Sequence, residues 1–171
     1  MTTQLSALTL ALIVGLAPTA TAQAPTPSTT TPLKVQIVVS RYQGEKKISS
    51  LPYTLSVTAG VGRTSANIRM GAQVPVPAAG SVQYRDVGTN IDCEAQALED
   101  GRFRLQISVD DSSVYAEERP SAATSGSPSF RAFRAIDSMV LRDGGTSQFT
   151  TATDKLSGEI VKIDVTLTVV K

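Results

Sequence analysis

The chain has 171 residues, of which 41% are hydrophobic, 5% are aromatic and none is tryptophan, and its formal net charge is +1. Basic and acidic side chains are interspersed, which argues against a nucleic-acid footprint or a polybasic membrane patch, and the scarcity of aromatic residues argues against a self-contained outer-membrane barrel with aromatic girdles. Histidine is absent and Cys93 is the single cysteine, which excludes Ser-His-Asp and Cys-His nucleophiles, histidine-ligated metals, an intramolecular disulfide and a cysteine cluster.

Met1 to Ala24 reads as a secretory signal peptide. Leu5 to Ala17 is an apolar run of the right length, too short to span a bilayer as a mature helix. Ala20-Thr21-Ala22 and Ala22-Gln23-Ala24 both fit a small-residue cleavage site, so the peptide ends at 22 or 24. The n-region, MTTQ, carries only the terminal amine as positive charge, and no cysteine near the cleavage site points to a lipoprotein. Export is the expectation, to the periplasm or to association with the outer membrane, where a fold with one cysteine does not depend on bridges. Pro25 to Pro32 is an uncharged Pro/Thr/Ser tract and predicts an extended linker. Residues 33–171 are left for one domain, about 140 residues, enough to bury a core without disulfides or metals.

The domain reads as a succession of strands. Val35, Ile37 and Val39 alternate with Lys34, Gln36 and Val38, and Gln43-Gly44-Glu45 makes a turn. Tyr53, Leu55 and Val57 alternate in a strand that Pro52 is expected to start. Ala59-Gly60-Val61-Gly62 turns again. Ala66, Ile68 and Met70 form a short strand that Gly71 is expected to break, and Val74-Pro75-Val76-Pro77 is extended but belongs on an edge or at a bulge, because its prolines cannot donate.

The stretch from Ser81 to Asp111 predicts a hairpin. Val82, Tyr84, Ile91, Cys93, Ala95 and Ala97 mark one side of its first arm, and Phe103, Leu105, Ile107 and Val109 alternate strictly with polar residues on the second. Asp100-Gly101 between the arms predicts a two-residue turn. Tyr115 to Ser129 is polar and predicts a long loop. Phe130 to Leu141 fits both a helical and a strand spacing, and the Arg142-Asp143-Gly144-Gly145 turn favours a strand. Gln148 to Thr153 is a short strand, Leu156-Ser157-Gly158 a turn, and Ile163, Val165, Leu167 and Val169 alternate in the last strand. The expected class is all-β, an antiparallel meander or small sandwich.

Chemistry-bearing groups are few. Asp92 and Glu94 are two apart on a strand and share its solvent face, Asp110-Asp111 is expected to close a strand, and Glu117-Glu118 lies in the loop; a glycosidase would need two carboxylates converging on a cleft. Asp110, Asp111, Ser112 and Ser113 supply oxygens for calcium but not the spacing of a calcium loop. Cys93 has no base to activate it and is expected to pack inward. Gly60-Val61-Gly62 lacks the lysine and helix of a phosphate loop. Arg131 and Arg134, beside Phe130 and Phe133, can stack on a partner or lie along a solvated strand. These residues predict no catalytic, cofactor or metal site.

The order of signals resembles the core domain of bacterial secretins, the ring-forming outer-membrane proteins of type II and type III secretion and type IV pilus systems. Met70-Gly71-Ala72-Gln73-Val74-Pro75-Val76 matches a strand ending in glycine that leads into V-P-V. Tyr84-Arg85-Asp86-Val87-Gly88 matches the strand that follows, Glu99-Asp100-Gly101 the hairpin turn, and Leu105 to Val109 with Ser112-Ser113-Val114 the returning strand. Met139 to Gly144 and Ile163 to Val170 complete the series, so the resemblance covers roughly Leu51 to Val170. Thr146 to Glu159 stands where the family has its Gly-Gly-Leu, Pro-Leu-Gly and Ile-Pro-x-x-Gly run, and no periplasmic N-domains precede the core. The resemblance therefore implies a short, free-standing secretin-like protein without N-domains or gate segment.

Its implied role is non-enzymatic: β-mediated assembly with itself or with a secretion or pilus-type envelope complex. The exposed edges expected to carry it are the Val35 strand or the Val74–Val76 segment. The implied partners are proteins, with no nucleic acid, no transmembrane segment in the mature chain and outer-membrane contact left open. The alternative is a stand-alone periplasmic or extracellular binding module that uses the 115–129 loop, and the third is a carboxylate hydrolase.

Overall fold

The computed structural model describes residues 30–78, 80–115 and 128–171. Among the described residues every element is a strand: β1 Thr31–Gln43, β2 Lys46–Ala59, β3 Thr64–Ala78, β4 Ser81–Ala97, β5 Phe103–Tyr115, β6 Ser129–Leu141, β7 Thr146–Thr153 and β8 Glu159–Val169. They form two antiparallel sheets, ordered β2-β1-β8-β7 and β3-β4-β5-β6. Taken round the molecule, the order is that of the sequence. The ring is closed by pairing of β1 with β8 and is open at the β2/β3 and β6/β7 seams. This is the expected all-β meander, folded as a sandwich.

Alternation places the core. Leu33, Val35, Ile37 and Val39 of β1 face inward with Leu55 and Val57 of β2 and Val161, Ile163, Val165 and Leu167 of β8. Ile91, Cys93 and Ala95 of β4 and Leu105, Ile107 and Val109 of β5 face them from the other sheet. A period of two keeps each set on one face. Each large aliphatic residue buried there contributes about 2 kcal/mol of transfer free energy. The single cysteine lies in this core, as its inward register predicts.

Several local expectations are corrected. The Val35 strand is not an edge: β1 is hydrogen-bonded to β2 on one side and β8 on the other. Pro52 does not start β2 but sits in its interior opposite Val38, tolerated because β2 is an edge of its sheet. Gly71 does not end β3, which continues through it to Ala78. Asp110-Asp111 does not close β5, which runs on to Tyr115. The hairpin loop has three residues, not two, because Leu98 N–H donates to Arg102 O at 2.9 Å and encloses Glu99-Asp100-Gly101. Gly101, at φ 73°, takes the left-handed position such a loop needs. Val82 and Tyr84 lie at the opposite parity to Ile91 and Cys93 and are exposed.

The Phe130–Leu141 segment is a strand, as the adjoining turn suggests. Thr31 and Pro32, at the end of the expected linker, pair with Ala59 and Thr58 in β1–β2. The expected signal peptide, the rest of the expected linker and residues 116–127 of the expected loop lie outside the described residues.

Candidate functional site

One end of the sandwich is closed by charge instead of apolar packing. Arg41 follows Val39 at the inward parity of β1, and Asp111 follows Val109 on β5. Glu159 precedes Val161 on β8, and Arg131 precedes Phe133 on β6. Each ends an apolar alternation with a charge where the pattern points inward, and antiparallel pairing brings all four to the same end.

They form a chain of contacts. Tyr53 Oη donates to Thr89 Oγ1 at 3.0 Å, and Thr89 Oγ1 donates to Asp111 Oδ1 at 2.7 Å. Arg41 Nη2 binds Asp111 Oδ2, and Arg41 Nη1 donates to Glu159 Oε1 at 2.9 Å. Arg131 Nη1 donates to Glu159 Oε2 at 2.7 Å, and Arg131 Nε lies 3.1 Å from Asp154 Oδ2. The chain crosses between sheets at Tyr53–Thr89, Asp111–Arg41 and Glu159–Arg131. The side chains of Arg41, Asp111 and Glu159 are 16%, 11% and 8% exposed. Charges this far from water are costly unless paired and hydrogen-bonded. Among the described residues no buried side-chain nitrogen or oxygen lacks a hydrogen-bond partner.

The electrostatics follow from the contacts. Partial burial disfavours the charge on Arg41, but the hydrogen bond to Glu159 and the field and hydrogen bond of Asp111 outweigh it and hold its pKa above the ordinary value. Asp154 is held below the usual carboxylate range, first by the backbone N–H of Leu156 and the hydroxyl of Ser157, then by Arg131. Burial, with a smaller contribution from Glu94, pushes the Cys93 thiol up to about 12. The thiol is therefore neutral and shielded, a poor nucleophile.

Beside this chain, between the start of β6 and the β7–β8 turn, lies a groove of about 570 Å³. Phe130, Phe133, Ala152, Leu156 and Val161 supply its apolar lining, and Arg41, Arg131, Asp154 and Glu159 its polar wall. The carboxylates there are each held by an arginine, which suits fastening two sheets rather than moving protons.

The other groups singled out by sequence are dispersed. Asp92 pairs with Arg69 at 2.6 Å, and Glu94 lies 3.5 Å from Arg63. Asp110 pairs with Arg134 on the neighbouring strand β6. Asp111 alone of that acidic group turns inward. Glu117 and Glu118 lie outside the described residues. No group of three or more His, Cys, Asp or Glu able to hold a metal occurs among the described residues. Gly60-Val61-Gly62 is the β2–β3 turn, where Gly60 O accepts from Ala97 N–H at 2.9 Å. Arg134 is an exposed surface arginine, whereas Arg131 belongs to the inward chain. Sequence inspection by motif misses the cluster, but the interruption of four apolar alternations by charge at inward positions is a signal for it.

No protein-family model matches the sequence, and no curated protein matches it. Solved structures do match. The type II secretin GspD of enteropathogenic Escherichia coli superposes with a TM-score of 0.51 at 12% identity, over 84% of this chain and 70% of that one. The InvG secretin-domain β-barrel of the Salmonella SPI-1 injectisome gives 0.52 at 9% identity, over 84% and 64%. GspD of E. coli K12 gives 0.50 at 13% identity, over 83% and 49%. The chain thus spans between about half and 70% of the secretin chains it matches. With the strand order, this shows that the described residues share the β fold of those secretin domains, and the motifs from Met70 to Val170 resemble theirs.

Proposed function

We propose that the protein is an exported, non-enzymatic component of a bacterial secretion or pilus-type envelope system that acts by β-mediated assembly, with itself or with a larger envelope complex. The observation that carries the reading is the pair of free edges on one sheet. β3 and β6 flank β4 and β5, and all neighbours in this sheet are antiparallel. β3 and β6 therefore run in opposite directions. In copies related by rotation, β6 of one can pair antiparallel with β3 of the next. Such a head-to-tail contact closes into a ring when the rotation closes. Long unpaired edges are natural sites of strand addition, and the Val74–Val76 segment lies on one of them.

Light scattering on the mature chain, begun at Gln23 or Pro25, tests this reading. The expected result is a molar mass that rises with concentration to a closed oligomer and that Val76→Lys on β3 reduces to the monomer. A monomer at every concentration, with and without the substitution, overturns self-assembly.

A further inference from the structure

The outward face of the β2-β1-β8-β7 sheet carries charge of a different kind from the paired cluster on its inward side. Every ion pair among the described residues is made by an arginine. Lys47 and Lys162 instead gather on one aromatic ring. Lys47 Nζ lies 5.6 Å from the centroid of the Tyr42 ring, and Lys162 Nζ lies 4.8 Å from it. Among the described residues neither ammonium has an ion pair or a hydrogen bond.

The strand register builds this gathering. Arg41 stands opposite Ser49, but Tyr42 stands opposite Lys47, so Ile48 is the extra residue of a β-bulge. Without the bulge Ile48 would oppose Tyr42, and Lys47 would fall at the other parity. Residues directly opposite share a face, so the bulge sets a cation beside the ring in place of an apolar side chain. On the other side of β1, Tyr42 is opposite Ile160 and Ser40 is opposite Lys162. Lys162 is therefore the diagonal neighbour of Tyr42 on the same face, within reach of a long side chain. Arg41, one residue earlier, points the other way, to Asp111 and Glu159.

A cation over an aromatic face is modestly attracted at an exposed site, but the charge is not neutralised. Two ammonium groups within 5.6 Å of one point repel each other. The acidic side chain that the register places on this face is Asp164, two residues past Lys162 and opposite Val38, and it makes no ion pair with either lysine. An anion between the two ammonium groups relieves the repulsion. Lysine offers a compact point charge with rotatable donors, which suits a tetrahedral oxyanion, whereas a planar carboxylate is better matched by the arginine fork.

We propose that Lys47 and Lys162, brought onto Tyr42 by the Ile48 bulge, form a phosphate-binding site on the outward face of this sheet. The ligand is a phosphate monoester, carried by a lipid headgroup or by a soluble molecule. The site does not rest on the assembly reading, because it uses neither free edge of the other sheet.

The test is a nuclear magnetic resonance titration of the mature chain with inorganic phosphate, against sodium chloride of matched ionic strength. The expected result is a saturable shift of the Tyr42 ring and of the Lys47 and Lys162 side-chain signals with phosphate and not with chloride. Lys47→Gln and Lys162→Gln should each weaken binding about two- to fivefold, the size of an exposed ion pair, and the double variant should abolish it. Lys34→Gln removes the same charge from the far end of β1 and should change nothing. A response to phosphate no larger than that to chloride, or one that survives in the double variant, overturns the site. Sedimentation with phosphatidylcholine vesicles containing phosphatidic acid then identifies the source. Cosedimentation that the double variant loses assigns the phosphate to a lipid headgroup. Cosedimentation that is absent, or that the double variant retains, assigns it to a soluble ester.

Discussion

Arg41 and Asp111, 70 residues apart in sequence and on opposite sheets, form an ion pair at the end of the sandwich. Arg41 also holds Glu159 across β1–β8, so it is shared between two carboxylates. Replacing it with methionine keeps much of the side-chain volume and leaves Asp111 and Glu159 partly buried with fewer partners. Removing one member of such a group costs about 3–5 kcal/mol, towards the lower end here because water reaches the site. Urea unfolding of Arg41→Met should show a loss of about 3 kcal/mol with an unchanged m-value. A loss below about 1 kcal/mol would mean that the sheets are held by the apolar core alone.

Asp154 should make stability depend on acid. Its folded-state pKa lies below the ordinary carboxylate value, so the contribution is present above that value and is lost as pH falls through the folded one. Melting temperature should drop from about pH 4 downward. In Asp154→Asn the acid-dependent part of the drop should shrink, because the side chain can no longer lose or gain a proton. An identical acid profile in the variant would place the dependence on other carboxylates.

Cys93 makes the opposite prediction at the alkaline end. Burial raises its thiol to about 12 in the folded protein from an ordinary value of 9.0. The sign is that of an acid whose ionisation favours the unfolded chain: its contribution is intact below about pH 9 and is lost as pH rises towards 12. The slope across that window is about 1.4 kcal/mol per pH unit. Cys93→Ala should flatten the slope while lowering stability at neutral pH by loss of packing. In the parent, labelling of the thiol should follow unfolding, so a rate independent of added urea would contradict its burial.

The sequence makes faces legible and neighbours much less so. Val35, Ile37 and Val39 alternate like any half-buried strand, and the pattern is the same whether the strand has one neighbour or two. That β1 is central depends on pairing with β8, more than a hundred residues away, as in Leu33 opposite Val169. Local punctuation was likewise ambiguous. Gly71 and Pro52 usually end strands, yet both sit inside strands here, Gly71 at a close crossing and Pro52 on an edge. The Phe130–Leu141 segment and Cys93 were legible because parity and the adjoining turn decide them locally. The Arg41–Asp111–Glu159–Arg131 cluster was not, since its members come from four strands and no spacing links them.

The chain of polar contacts ends at Tyr53 and Thr89, where the contact is neutral on both sides. Tyr53→Phe removes a hydroxyl and leaves Thr89 still donating to Asp111 at 2.7 Å. No buried charge loses its partner, so the expected loss is about 1 kcal/mol, the net value of a neutral hydrogen bond. A double-mutant cycle with Arg41→Met separates the two ends. If the hydroxyl acts mainly by orienting Thr89 towards a charged Asp111, the coupling energy should exceed about 0.5 kcal/mol, because removing Arg41 weakens the reason for that orientation. Additive losses would instead mark Tyr53–Thr89 as an independent bond between the sheets. The fastening at this end would then be two separate contacts, with the larger share at Arg41.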